Sequence, residues 1–154
     1  MLEKVLIGGI NQWISVRGNP QKHLCLFLHG GPGLAEMPLL HSFCNELEND
    51  FLIINWDQRG AGKSFSFFTP PSSMNLNQFI CDGFELITYL IKRFKKEKLY
   101  LIGHSWGSVL GMFLVQKHPK LIYSYIGISQ IGNWPQGENL SYQFTLEKIG
   151  RAHV

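Results

Sequence analysis

Ser105 stands in Gly103-His104-Ser105-Trp106-Gly107, after a short apolar run, Leu99-Tyr100-Leu101-Ile102, and before a mostly apolar stretch from Ser108 to Lys117 that Pro119 ends. The run reads as a buried parallel strand and the stretch as a helix, so this G-x-S-x-G falls where a nucleophile elbow would be. In such a turn the serine backbone is strained and its hydroxyl is held clear of the sheet edge. Side chains two residues to either side are expected to collide, which glycine at 103 and 107 avoids. The chemistry is attack of a hydroxyl on a carbonyl, through a tetrahedral intermediate whose oxyanion needs fixed N–H donors. His29-Gly30-Gly31-Pro32-Gly33, after an apolar strand ending at Leu28, exposes backbone N–H groups with no side chain in the way. Gly31 N–H is the expected first donor, and the N–H of Trp106, the residue after the serine, the second. An ordinary tight turn is the alternative for residues 29–33, and the elbow later in the chain argues against it.

Asp57-Gln58-Arg59-Gly60-Ala61-Gly62-Lys63-Ser64 ends like a phosphate-binding P-loop. That loop needs a glycine where position 57 has aspartate, whose carboxylate would repel phosphates, and a helix where Phe65 to Pro71 reads as loop. ATP binding is therefore rejected. Asp57 and Arg59 are expected to brace loops at the C-terminal ends of strands.

Gln12 to Arg17 alternates polar and apolar residues, as a half-exposed strand does, and Gly18-Asn19-Pro20 turns it. Leu24 to Leu28 and Phe51 to Trp56 read as strands buried on both faces, with a helix from Pro38 to Leu47 between them. From Leu76, the positions Phe79, Ile80, Ile87, Leu90, Ile91 and Phe94 recur at helical spacing. Ile122 to Ile128 reads as a last strand, apolar on both faces. Strands alternating with helices specify an α/β fold, a mostly parallel sheet with helices on both faces. Gly132-Asn133-Trp134-Pro135 then reads as a polar loop, and Ser141 to Lys148 as a helix.

The three motifs, H-G-G-P-G, D-Q-R-G-A-G-K-S and G-H-S-W-G, in this order and spacing, resemble the proline iminopeptidase branch of the α/β-hydrolase fold over residues from about 8 to 145. The resemblance implies a serine hydrolase working through an acyl-enzyme, most specifically an aminopeptidase releasing an N-terminal residue such as proline. Related esterases, lipases and C–C bond hydrolases share much of this grammar, and a non-catalytic binding protein of the same fold is a further alternative. Carried over, the oxyanion-hole positions are again Gly31 and Trp106, with His29, Gly30, Pro32, Gly33, Asp57, Arg59, Gly103, His104 and Gly107 as supporting motif residues. The family order is serine, acid, histidine, the last two after later strands. Such strands are missing here, so residues 1–148 are expected to be the N-terminal part of the domain, with a lid segment beginning near 132–148. Back-translated, Ile149 to Val154 fit ATC GGA AGA GCA CAC GTC, which resembles a common sequencing-adapter start; these residues are expected to be a non-native tail. A natural polar terminus is the alternative.

Of the six histidines, His29 and His104 are expected to support loops, and His23, His41 and His118 to be solvated. His153 follows Ser105 but sits in the suspect tail. Glu138, in a loop, and Glu147, in a helix, are the acids after Ser105 and read as surface carboxylates. With no base in place, the chain itself is expected to be nearly inactive. At 154 residues, 45% hydrophobic and 16% charged, it suits one folded domain. The formal charge of +3 gathers at Lys92, Arg93, Lys95, Lys96 and Lys98, where cations complement a helix C-terminus, so nucleic acid is not an expected partner. Cys25, Cys44 and Cys81 are expected as buried free thiols, the first in a strand and the others in helices. No signal peptide or membrane span is read, which suggests the cytoplasm. The expected partner is a small-molecule or short-peptide substrate, with no metal or cofactor.

Overall fold

The computed structural model describes residues 1–149. Its elements run β1 (Leu2–Ile7), β2 (Ile10–Arg17), β3 (His23–Leu28), α1 (Met37–Phe43), β4 (Phe51–Asp57), α2 (Leu76–Phe94), β5 (Leu99–His104), α3 (Trp106–Lys117), β6 (Ile122–Ile128) and α4 (Trp134–Ile149). The six strands form one sheet in the order β1-β2-β4-β3-β5-β6. β4, β3, β5 and β6 are parallel, whereas β1 and β2 form an antiparallel hairpin added at the β4 edge.

Strand residues alternate between the two faces. Leu24, Leu26, Leu28, Leu52, Ile54 and Trp56 pack with α2 and α3 residues such as Leu86, Ile87, Leu110 and Leu114. Cys25, Phe27 and Ile53 point to the opposite face, where Leu40 of α1 and Cys44 cover them. Helices therefore lie on both faces of a mostly parallel sheet.

Several local expectations change. β1 was not expected, yet Gly8 and Gly9, with φ of 55° and 76°, form the two-residue turn that hairpins favour. β2 is not half-exposed: Gln12 and Ser15 are buried, because β1 and β4 flank the strand and polar partners satisfy both residues. Trp56 Nε1 donates to Gln12 Oε1 at 2.9 Å, Gln12 Nε2 to Asp82 Oδ2 at 2.7 Å, and Asn55 Nδ2 to Ser15 Oγ at 3.2 Å. α1 stops at Phe43, so Cys44 caps the helix rather than lying inside it, and a 3-10 turn, Glu46–Asn49, follows. Cys81 is exposed, on the outer side of α2. α4 starts at Trp134, seven residues before the expected Ser141, so Pro135 sits in its first turn, where a missing N–H costs nothing. Glu138 is accordingly helical. Residues 150–154, with His153 and most of the suspect tail, lie outside the described residues. No described helix is long and apolar enough to cross a membrane.

Among the described residues β6 pairs only with β5, and Tyr123, Ile126 and Ile128 are about half exposed along it. An apolar edge without charges templates further strand pairing. The 154-residue chain is expected to self-associate and to bind an apolar dye strongly, and Ile126→Lys to reduce both. A soluble monomer with a sharp, reversible melt and no dye signal would contradict this.

Candidate active site

Ser105 joins β5 to α3 with φ 50° and ψ −115°, a positive φ that a non-glycine residue adopts only at a cost of order 1–3 kcal/mol. Its N–H donates to Ile128 O at 2.9 Å, and its carbonyl accepts from Ser108 N at 2.8 Å and from Ser108 Oγ. A side chain at either flanking glycine would collide, at Gly103 within the turn itself and at Gly107 with the end of β3. A Cβ on Gly103 would stand 2.7 Å from the Gly107 carbonyl carbon and 2.9 Å from Ser108 Cα. A Cβ on Gly107 would stand 2.6 Å from the Leu28 carbonyl carbon and 2.8 Å from His29 O, so this glycine lets α3 close against the end of β3 rather than clearing a side chain at 103.

The glycine turn meets the elbow at Gly30, where a Cβ would lie 3.4 Å from Ser105 Cβ and 3.3 Å from His104 Nδ1. Gly31 has φ 114°, and a Cβ there would press on Gly33 N and Leu34 N at 2.5 and 2.7 Å. Trp106 opens α3, so its N–H has no acceptor within the helix. Its indole Nε1 donates to Gln58 Oε1 at 3.2 Å, while Gln58 Nε2 donates to His29 O at 3.1 Å. His29 Nε2 accepts from Gln58 N at 3.0 Å, which assigns the proton to Nδ1, 2.7 Å from Gly30 O. Glu36 is buried, with Oε1 2.6 Å from His104 Nδ1 and accepting from Gly30 N at 3.2 Å.

Burial pushes the His29 imidazole below its ordinary value of 6.5, against the Gly30 hydrogen bond and the charges of Asp57 and Glu36. The folded state thus favours neutral His29, and the unfolded chain takes up the proton more readily. The resulting stability is present above pH 6.5 and is lost as the pH falls below it. Unfolding free energies measured across that range should fall less steeply for His29→Gln than for wild type; equal slopes would refute this.

Asp57 Oδ2 accepts from Lys63 N at 2.8 Å, closing the loop after β4. Arg59 braces the turn at the C-terminal end of β1: its Nε and Nη2 reach Asp82 Oδ2 and Oδ1 at 2.9 and 3.1 Å, and Nη2 donates to Gly8 O at 2.7 Å. It therefore ties the β1–β2 turn to α2, and none of its hydrogen bonds among the described residues goes to the elbow. Lys63 Nζ sits over the Trp13 ring at 5.2 Å from its centroid, and residues 65–70 are not helical, so the helix that a P-loop needs does not follow this segment.

A cleft of about 360 Å³ is lined by Ser105, residues 130–134, Gly137 and Glu138. Glu138, read as a surface carboxylate, is exposed but also forms a wall of this cleft. A larger cavity of about 540 Å³, between β2, Met37 to His41 and Lys63, has none of Gly31, Ser105 or Trp106 in its walls. Ser105 Oγ makes no hydrogen bond among the described residues. His23 and His41 are exposed, whereas His118 is half-buried and stacks on Phe84 at 4.0 Å between centroids. No group of three or more metal-ligating side chains occurs among the described residues. Glu36, Gln58 and Ser108 were not singled out from sequence. A single acid, amide or hydroxyl in a loop or helix carries no periodic signal; Glu36 and Gln58 act on segments distant in the chain, and Ser108 Oγ, besides donating to Ser105 O, accepts from Ile131 N at 3.1 Å.

The family profile described as alpha/beta hydrolase fold matches residues 24–149. A probable aminopeptidase from Bacillus subtilis (strain 168) is 40% identical over 148 residues, 96% of this chain and 46% of that protein. A proline iminopeptidase from Arabidopsis thaliana is 36% identical over 102 residues, 66% of this chain and 25% of that protein. Among solved structures, the proline iminopeptidase-related protein from Thermus thermophilus superposes with a TM-score of 0.75 at 23% identity, covering 88% of this chain and 46% of that one. An epoxide hydrolase from Vigna radiata gives 0.69 at 24% identity, covering 82% and 39%. These structural likenesses concern the fold alone. The chain spans less than half the length of each of these proteins.

Proposed function

We propose that this chain, which belongs to the alpha/beta hydrolase fold family, carries the nucleophile and oxyanion hole of a serine hydrolase acting as an aminopeptidase on short peptides. The observation that carries the reading is Ser105 at positive φ on the β5–α3 turn, with the glycine turn packed against it. Ser105 Oγ attacks the scissile carbonyl, the N–H groups of Gly31 and Trp106 hold the oxyanion, and collapse expels the amine and leaves an acyl-enzyme for water to hydrolyse. The base and its orienting acid belong, by the family order, to chain beyond residue 148. On this reading residues 1–148 are the N-terminal part of the domain and residues 132–148 begin the lid. Glu138, beside Ser105 in the cleft, has the charge to receive a free amino group.

Without a general base, an assembled oxyanion hole leaves roughly 10³–10⁴-fold acceleration over water in a good hydrolase. The 154-residue chain should therefore show trace hydrolysis of an activated ester, lost in Ser105→Ala, and negligible cleavage of a proline arylamide. Ester hydrolysis unchanged in Ser105→Ala would overturn the nucleophile assignment. Robust arylamide cleavage abolished by Ser105→Ala would show that a base is already present, with His153→Ala the next variant to make.

A further inference from the structure

The two proposed oxyanion donors sit on different segments, and the backbone ladder between those segments stops short of both. β3 and β5 pair in parallel from Cys25↔Tyr100 to Leu28↔Gly103, and no ladder pair follows. Gly31 and Trp106 each lie three residues further along. Beyond the ladder their separation is set by the close approach of Gly107 to Leu28 and His29 and by side chains that bridge the two segments, and 1 Å of error there costs on the order of a hundredfold in rate.

Resting on the serine-hydrolase reading, we infer that Glu36 is a positioning residue for the oxyanion hole, its Oε1 joining Gly30 N–H to His104 Nδ1 and so fixing the glycine turn against the elbow. Gly30 immediately precedes one donor. His104 immediately precedes Ser105, which the other donor follows. A single oxygen accepting from both segments, at 3.2 and 2.6 Å, transmits position directly from one to the other. The Glu36 side chain is 8% exposed, which shields its carboxylate although His104 is 41% exposed, and hydrogen bonds to a carboxylate are about twice as strong as neutral ones. Gln58 makes a second bridge, between His29 O and the Trp106 indole, but it holds the Trp106 side chain rather than the backbone before the nucleophile. Glu36 touches no reacting atom; it acts through Gly30 and His104.

An aryl boronic acid tests this without a catalytic base. Ser105 Oγ bonds to boron, its proton passes to solvent, and a boron-bound oxygen takes the oxyanion's place. Affinity is read by boron NMR, beside the affinity of the matching planar aryl carboxamide and the melting temperature. Glu36→Ala is expected to weaken boronate binding at least about tenfold while carboxamide binding changes less than about twofold; Glu36→Gln, which keeps an acceptor oxygen, should restore most of it. If Glu36→Ala does not fold, Glu36→Asp decides: one methylene shorter, it cannot span both partners and should show the same selective loss. A folded Glu36→Ala or Glu36→Asp that binds boronate like wild type overturns the role of Glu36, as does equal weakening of both ligands. Boronate binding that persists in Ser105→Ala, or is absent from wild type, instead overturns the serine reading and the inference with it.

Discussion

Asp82→Ala is expected to lower the unfolding free energy by about 3–5 kcal/mol, because it strands a buried guanidinium. Arg59 and Asp82 are 1% and 0% exposed as side chains, and their two hydrogen bonds form a fork. Asp82 also accepts from Gln12 Nε2 and from Gln78 Nε2, each at 2.7 Å, so its loss removes the acceptor of four hydrogen bonds from three residues. Against total stabilities of about 5–15 kcal/mol, that is a large fraction. Urea midpoints of wild type, Asp82→Ala and the double variant Arg59→Met/Asp82→Leu measure it. The double variant should recover much of the loss, since replacing a buried pair with apolar residues is often neutral. A loss below about 1 kcal/mol for Asp82→Ala would show that the pair is not a buried strut.

Gly107→Val should reduce activated-ester hydrolysis on the order of a hundredfold or to the uncatalysed background, whereas Lys63→Ala should leave it unchanged. The new Cβ meets the backbone of Leu28 and His29, which cannot rotate away. Either the start of α3 lifts, taking Ser105 and the Trp106 N–H with it, or the end of β3 moves and carries the glycine turn. Lys63 lies exposed over Trp13, outside the cleft. ATP binding measured on the same variants separates the readings. If Lys63→Ala abolishes nucleotide binding and Gly107→Val leaves every activity intact, the hydrolase assignment fails.

What the sequence by itself determined is what local periodicity and local turn chemistry encode. The helical spacing from Phe79 to Phe94 appears as α2, the apolar runs appear as β3, β4 and β5, and Gly103 to Gly107 lies on a strand-to-helix turn. The β1–β2 hairpin belongs to what the fold revealed, because Leu2 to Ile7 alternates too weakly to mark a strand before Gly8-Gly9. The start of α4 was masked by Pro135, a breaker inside a helix that is harmless in the first turn.

Only the tertiary structure decided the fate of single polar residues. Gln12 looked like the solvent side of a strand until Trp56 and Asp82, 44 and 70 residues away, satisfied it in the core. Glu36 carries no signal in the sequence, and its partner His104, 2.6 Å away, lies 68 residues on. The same holds for Gly107, whose need for glycine comes from Leu28 at the end of β3 and His29 just after it. Periodicity reports which face a residue occupies, because that depends on its own helix or strand. A hydrogen-bond partner or a steric limit depends on what the fold brings to that face, and here it came from segments tens of residues distant.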